Sequence, residues 1–253
     1  MNRPVKISTR PRVTKHGGET KKLFSMKVYS YYAKGNRETN EDYIKSEPIT
    51  NGASLHIVAD GMGGYKYGEV ASQVATEAIF QFITENGING NIHTLIEHAV
   101  EYANEQILFK RNQFHARLGT TIAGILIIDN TAYAFWLGDV QIQHFRDNKQ
   151  LFISESHSLI NEMKIKSSVS SKDIECYKNF VTRSLSGTPL EESIPIVDIR
   201  FQQEDIICIS SDGFYNSINP LTLISKSDSE IEAILKDIYD SNEDNFSIIK
   251  LIC

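Results

Sequence analysis

A chain of 253 residues with 41% hydrophobic and 23% charged positions has the composition of a soluble globular protein, one large domain or two small ones. No run approaches the ~18 consecutive apolar residues of a membrane span, no apolar leader opens the chain, and three scattered cysteines (Cys176, Cys208, Cys253) give neither a disulfide framework nor a zinc pattern, so a cytoplasmic setting is expected. Charge is uneven: residues 1–27 hold eight Lys and Arg against one Glu, a net of +7, so the total of −6 leaves −13 on the remainder, which argues against nucleic acid as the main ligand.

Residues 1–25 read as a basic, disordered tail because they are polar, contain two prolines and lack periodicity; residues 26–253 read as the folded domain. Order begins in "FSMKVYSYYA", a β-rich run, followed by the polar loop "GNRETNEDYI" and the strand "SLHIVAD". From Tyr67 to about Glu85, Val70, Ala71, Val74, Ala75, Ala78, Ile79 and Phe82 recur at helical spacing. A second helix fits "IHTLIEHAVEYANEQILFK", residues 92–110. Two hairpins follow, turning at Asp129-Asn130 and at Asp147-Asn148, residue types that tolerate the left-handed conformation of tight turns. Residues 155–180 look irregular and mobile. "EDIICISSD" reads as a buried strand, "NPLTLISKS" and "SDSEIEAILKDIYD" as helices capped by Asn219 and by Ser227 or Asp228, and "NFSIIKLIC" as a final strand. Tight-turn strand pairs and helices grouped in separate blocks predict an α+β fold with antiparallel sheets.

Aspartate recurs at strand ends: Asp60 after "LHIVA", Asp139 after "AYAFWLG", Asp212 after "IICISS", and Asp244 just before "NFSIIKL". Asp42 ends the polar loop beside Glu41, and Gly61, Gly138 and Gly213 flank three of the five. Each alone is a common turn or cap residue. Together they predict a rim of carboxylates that repel one another unless cations are present, and an all-oxygen set suits hard ions such as Mg²⁺ or Mn²⁺. Arg37, four residues before Glu41, offers a planar fork for phosphate oxygens near such a rim. Cys176 and Arg183 are one position too far apart for a cysteine-phosphatase loop, and "DGMGG" lacks the endings of nucleotide-binding loops.

The ordered series "GNRETNEDYI", "VADGMGG", "LGTTIAGILI", "FWLGDVQI", "SHSLINEM", "VTRSLSG", "IICISSDGFYNSI" and "EDNFSIIKL" resembles the metal-dependent serine/threonine protein phosphatases of the 2C type, most of all the bacterial ones, from about Val28 to Ile252. The resemblance implies a four-layer αββα sandwich, two antiparallel sheets flanked by helices. It implies two Mn²⁺ or Mg²⁺ ions bridged by Asp60, with the Gly61 carbonyl, Asp212 and Asp244 completing their shells. Asp42 joins that metal set by orienting the shared water, Glu41 acts through metal-bound water, Arg37 holds the phosphate, and Asp139 with Asp212 matches a weaker third metal position. The implied reaction is hydrolysis of phosphoserine and phosphothreonine in proteins, a metal-bridged hydroxide attacking phosphorus directly. Partners would be phosphorylated proteins made by an opposing Ser/Thr kinase, with the chain acting as a monomer. Val140 and Ser156 depart from the family pattern, which otherwise carries a hydroxyl residue and an aspartate there, and 158–180 lacks the usual glycine pair of the flap. Those departures motivate a second reading, a catalytically weak phosphatase-like module that binds phosphoproteins or a regulatory partner. His56 and His144 read as structural, while His157 of "SHS" lies beside the flap.

Overall fold

A computed structural model describes residues 26–49, 52–62, 66–166, 169–177 and 179–253. The tail expected over 1–25 lies outside them. Ten strands form two sheets. One runs β1 (Lys27–Ala33), β10 (Phe246–Ile252), β9 (Ile206–Ser210), β6 (Gln141–Arg146), β7 (Lys149–Ile153). The other runs β2 (Asp42–Pro48), β3 (Ser54–Gly61), β4 (Thr120–Ile128), β5 (Thr131–Leu137), β8 (Ile196–Arg200). Every neighbouring pair is antiparallel.

Helices α1 (Gly68–Asn86) and α2 (Ile92–Phe114) cover the outer face of the β2–β8 sheet. Ala71, Ala75, Ile79, Ile96, Ala99 and Ala103 pack there on Leu55, Ile57 and Ala59. Small alanines let the helices approach the sheet closely, and Asn91 caps α2 by accepting from the amides of His93 and Thr94. A second core lies between the sheets, where Val58, Ala123, Ile125 and Trp136 meet Val140, Ile142, Ile207, Ile209, Ile249 and Leu251. The third core sits under α5 (Asp212–Tyr215), a 3-10 turn (Pro220–Leu223) and α6 (Asp228–Tyr239), which cover the other outer face through Phe214, Leu223, Ile231 and Leu235. A capping box starts α6: the Ser227 hydroxyl accepts from the Glu230 amide, and Glu230 accepts from the Ser227 amide. The layers are therefore α, β, β, α, as the resemblance implied. Both hairpins turn where predicted, with Asp129, Asp147 and Asn148 left-handed at φ 53°, 50° and 59°.

Four expectations change. Strands β2 and β8 carried no clear sequence signal; each is a sheet edge, and "DYIKSEP" and "IVDIR" lack a clean apolar alternation. The segment 155–180 is not irregular throughout, since it folds α3 (Leu159–Lys166) and α4 (Ser171–Tyr177). "NPLTLISKS" forms a 3-10 turn rather than an α-helix; Asn219 caps it as expected by accepting from the Leu221 amide. The helix at 92–110 runs one turn further, to Phe114.

His56, on β3, is buried and lies within 2.6 Å of the Ser46 hydroxyl and 2.8 Å of the Ser54 hydroxyl. Burial lowers its pKa to about 3. The folded state therefore resists a proton that the unfolded state accepts below its ordinary value of 6.5. Stability from this site is complete above pH 6.5 and is lost as pH falls from 6.5 toward 3. At about 1.4 kcal/mol per pH unit, the wild type should lose about 2–3 kcal/mol more than His56→Asn between pH 6.5 and 4.5. Urea unfolding across that range checks this; parallel profiles for the two proteins would exclude His56 as the cause.

Candidate metal centre

Side chains alternate between faces along the strands, and on β2, β3, β4, β9 and β10 the inward row changes from apolar to polar at one end of the sandwich. On β3, Val58 is followed two residues on by Asp60; on β2, Ile44 is preceded by Asp42. Ala123 gives way to Thr121, Ile209 to Ser211, and Ile249 to Ser247. Register sets Asp42 directly opposite Asp60, and Asp60 opposite Thr121. The polar ends thus form one rim closing the inter-sheet core.

Asp212 opens α5 just after β9, and Asp244 lies two residues before β10. Asp139 follows Gly138 in the turn between β5 and β6, and its carbonyl accepts from the Tyr215 hydroxyl at 3.1 Å. Burial raises the Asp60 pKa well above its ordinary value, and the carboxylates of Asp42, Asp212, Asp139 and Asp244 raise it further. Burial, opposed by hydrogen bonds from Ser247 and Ser211 and assisted by Asp212 and Asp244, pushes Asp42 up to about 7. Burial and Asp212 likewise push Asp139 up to about 7, against a hydrogen bond with Thr121. Asp212 is raised by burial and Asp244. Five aspartates from both sheets therefore share one field, although among the described residues no three acidic, histidine or cysteine side chains already enclose a single point as a ligand cage.

One atom of this rim tests whether a cation fits. Asp42 Oδ2 accepts from Ser211 Oγ at 2.9 Å and Ser247 Oγ at 2.7 Å, while its Oδ1 is buried with no hydrogen-bond partner. A buried carboxylate oxygen without a partner is costly. A cation or its water satisfies it, and the donors on offer are all hard oxygens. The residues present fit a divalent metal.

Arg37 stands at the outer edge. Its Nε donates to the Glu243 carbonyl at 3.0 Å and its guanidinium pairs with Asp244 at 3.1 Å, with about half of its side chain exposed. Glu41 is half-buried; burial and Glu69 raise its pKa, while Arg37 lowers it. The Glu41 carbonyl accepts from the Gly61 amide at 3.0 Å and from Ser72 Oγ at 2.6 Å. The structure thus brings all eight sequence-predicted residues to one end of the sandwich: Arg37, Glu41, Asp42, Asp60, Gly61, Asp139, Asp212 and Asp244. It also adds residues that lie inside the quoted motifs but were given no role from the sequence. Ser211, Ser247, Thr121 and Asn245 lie at the rim ends of apolar strands, where a polar residue reads as an ordinary strand end.

The flap is tied to the same end. His157 Nδ1 accepts from the Gly138 amide at 3.0 Å, and the His157 amide donates to the Gly138 carbonyl at 2.8 Å. Of the two departures, Val140 is buried in the inter-sheet core, and the Ser156 carbonyl accepts from Asn161 Nδ2 at 2.9 Å. Asp42, Asp60, Asp139, Asp212 and Asp244 are all present beside them. Cys176 is exposed on α4, and Arg183 donates to the carbonyls of Glu192 and Ser193, so these two form no phosphate loop.

The family model described as protein phosphatase 2C matches residues 32–245. Protein phosphatase PhpP of Streptococcus pneumoniae is 27% identical over 188 residues, covering 72% of this chain and 76% of that protein. The crystal structure of serine/threonine phosphatase Stp1 from Staphylococcus aureus superposes with a TM-score of 0.77 at 18% identity, covering 97% of this chain and 99% of the other. The catalytic domain of serine/threonine protein phosphatase PstP, solved in complex with two manganese ions, superposes with a TM-score of 0.74 at 20% identity, covering 90% and 97%.

Proposed function

The chain belongs to the protein phosphatase 2C family, and from that membership we propose that it removes phosphate from phosphoserine and phosphothreonine in proteins, using two divalent cations. The observation that carries this reading is the convergence of Asp42, Asp60, Asp139, Asp212 and Asp244 on one rim with Arg37 at its edge. Asp60, Asp212, Asp244 and the Gly61 carbonyl would hold the two cations, and Asp139 with Asp212 a weaker third. When bound, the cations supply the acidity that makes a water nucleophilic near neutral pH and neutralise charge on the phosphoryl group. Mn²⁺ or Mg²⁺ suits the oxygen donors, and the manganese ions of PstP support that choice.

The chain's own residues do the positioning. Ser211 and Ser247 fix Asp42 Oδ2, which leaves Oδ1 to orient a water toward phosphorus. Arg37, anchored through Nε to the Glu243 carbonyl and paired with Asp244, keeps N–H groups at the rim that would grip phosphoryl oxygens. Its exposure suits a phosphate carried on a bulky protein. Glu41, raised by burial, acts through water at the same edge. Water attacks phosphorus in line, the P–O bond to Ser or Thr breaks, and the alcohol takes up a proton. No protein nucleophile enters. The opposing enzyme is a Ser/Thr kinase, and the chain works as a monomer in the cytoplasm. Nothing in the rim favours the non-catalytic module.

Hydrolysis of p-nitrophenyl phosphate and of a phosphothreonine peptide tests the reading. Turnover should require Mn²⁺ or Mg²⁺, vanish with EDTA and return on adding metal. Asp212→Asn should lower kcat at least ~100-fold, and Arg37→Ala should raise KM about tenfold or more, the ~1.5–3 kcal/mol of a charge-assisted hydrogen bond. Metal-independent turnover, or full activity in Asp212→Asn, would sink it.

A further inference from the structure

The loop 34–41 carries Arg37 and Glu41 and leads into Asp42; Arg37 ties to Glu243 and Asp244, and the Glu41 carbonyl to Gly61 and Ser72. Most of its backbone support comes from the turn before β10. The Asn36 amide donates to the Asn242 carbonyl at 2.9 Å, and Asn36 Nδ2 donates to the Asp240 carbonyl at 2.9 Å. These contacts secure the near side of the loop. Asn245 spans both of its ends. Its Nδ2 donates to the Lys34 carbonyl at 2.9 Å and the Thr39 carbonyl at 3.0 Å, and its Oδ1 accepts from the Glu41 amide at 2.8 Å. Asn245 is 5% exposed, so the three bonds are shielded from water on its side. The loop also sits flush on this turn: a Cβ on Gly35, at φ 55°, would lie 2.3 Å from the Asp244 carbonyl oxygen and 2.6 Å from that of Asn242.

We propose that Asn245 is the positioning residue for phosphate capture: its carboxamide clamps the loop 34–41 so that Arg37 and Glu41 face the carboxylate rim. Resting on the phosphatase reading above, this assigns Asn245 no contact with substrate or metal; it acts through Arg37 and Glu41. Three bonds from one buried side chain to three backbone groups of a single loop have no other evident use, since β10 is already paired on both sides by β1 and β9. The chemistry also needs the amide specifically. Aspartate retains an acceptor for the Glu41 N–H and loses both donors, and alanine loses all three bonds.

Two readouts separate clamping from general stability. In metal-free protein, hydrogen exchange of the amides of 36–41 should accelerate at least about tenfold in Asn245→Ala while the amides of β3 and β4 keep their protection. In metal-loaded protein, KM and the inhibition constant of inorganic phosphate should rise about tenfold with Mn²⁺ affinity, measured by calorimetry, changed less than about threefold. Adding Asn245→Ala to Arg37→Ala should raise KM no more than about twofold further, because both act on one grip. Asn245→Asp, which sets a carboxylate against the Lys34 and Thr39 carbonyls, should show the same pattern, and it carries the test if the alanine variant does not fold. Unchanged exchange of 36–41, or a KM penalty that adds in full to that of Arg37→Ala, would overturn the proposal. If the wild type shows no metal-dependent turnover, the phosphatase reading fails while the exchange measurement still judges the clamp.

Discussion

Asp60→Asn is expected to shift the melting temperature in opposite directions with and without metal. In EDTA the wild type keeps a buried carboxyl among Asp42, Asp212, Asp139 and Asp244, and burial together with those charges raises its pKa. Asparagine fills nearly the same volume without charge. Each ~1 kcal/mol of relief raises the melting temperature by about 2–4 °C in a domain of this size. With Mn²⁺ at a hundred times its dissociation constant, the wild type gains about 2.7 kcal/mol from binding. The variant, lacking the central ligand, should gain little, so the order reverses. Turnover should fall at least a thousandfold, about 4 kcal/mol of transition-state stabilisation. Thermal scans in EDTA and in Mn²⁺ read the crossing. A variant that is destabilised in both, or that keeps the metal-dependent gain, would contradict the assignment of Asp60.

Gly61→Ala should be nearly as damaging for a different reason. A Cβ there would lie 2.4 Å from the Gly68 carbonyl oxygen and 2.8 Å from that of Glu41. Both are backbone atoms, so either the start of α1 or the Glu41 loop must move, and overpacking of this kind costs about 1–3 kcal/mol. The movement also disturbs the Gly61 amide bond to Glu41. Displacing reacting groups by about 1 Å costs on the order of 100-fold in rate. Gly68→Ala is the control. Its added Cβ would meet the Glu41 carboxylate, Oε1 at 2.7 Å, a side chain that can rotate aside. Chemical unfolding should show a smaller stability loss for Gly68→Ala than for Gly61→Ala; equal losses would remove the backbone-collision argument.

The parts that were legible in the sequence share a physical basis. Apolar stripes at helical spacing located α1 and α2, because each buries one face on a sheet. Runs such as "SLHIVAD" and "IICISSD" located β3 and β9, since strands buried on both faces need nearly continuous apolar residues. Turn chemistry placed both hairpins. Edge strands escaped because a half-solvated edge tolerates "DYIKSEP". The helices α3 and α4 escaped because neither buries a regular apolar face; no residue of α4 is buried. Asn245 and the serine pair around Asp42 escaped because polar residues at strand ends read as ordinary turn residues until the fold shows their partners.

By itself the sequence determined where carboxylates fall along the chain, at the ends of apolar strands, and through the order of its motifs which family the chain resembles. Only the tertiary structure decided that those ends meet. Asp42 faces Asp60 across one sheet, whereas Asp212 and Asp244 come from the other, and β1 pairs with β10 across nearly the whole chain. Such pairings are fixed by burying the inter-sheet core in a single register, and a slip of one residue would turn Asp42 or Asp60 outward. Local pattern carries strand ends; long-range packing alone carries their convergence.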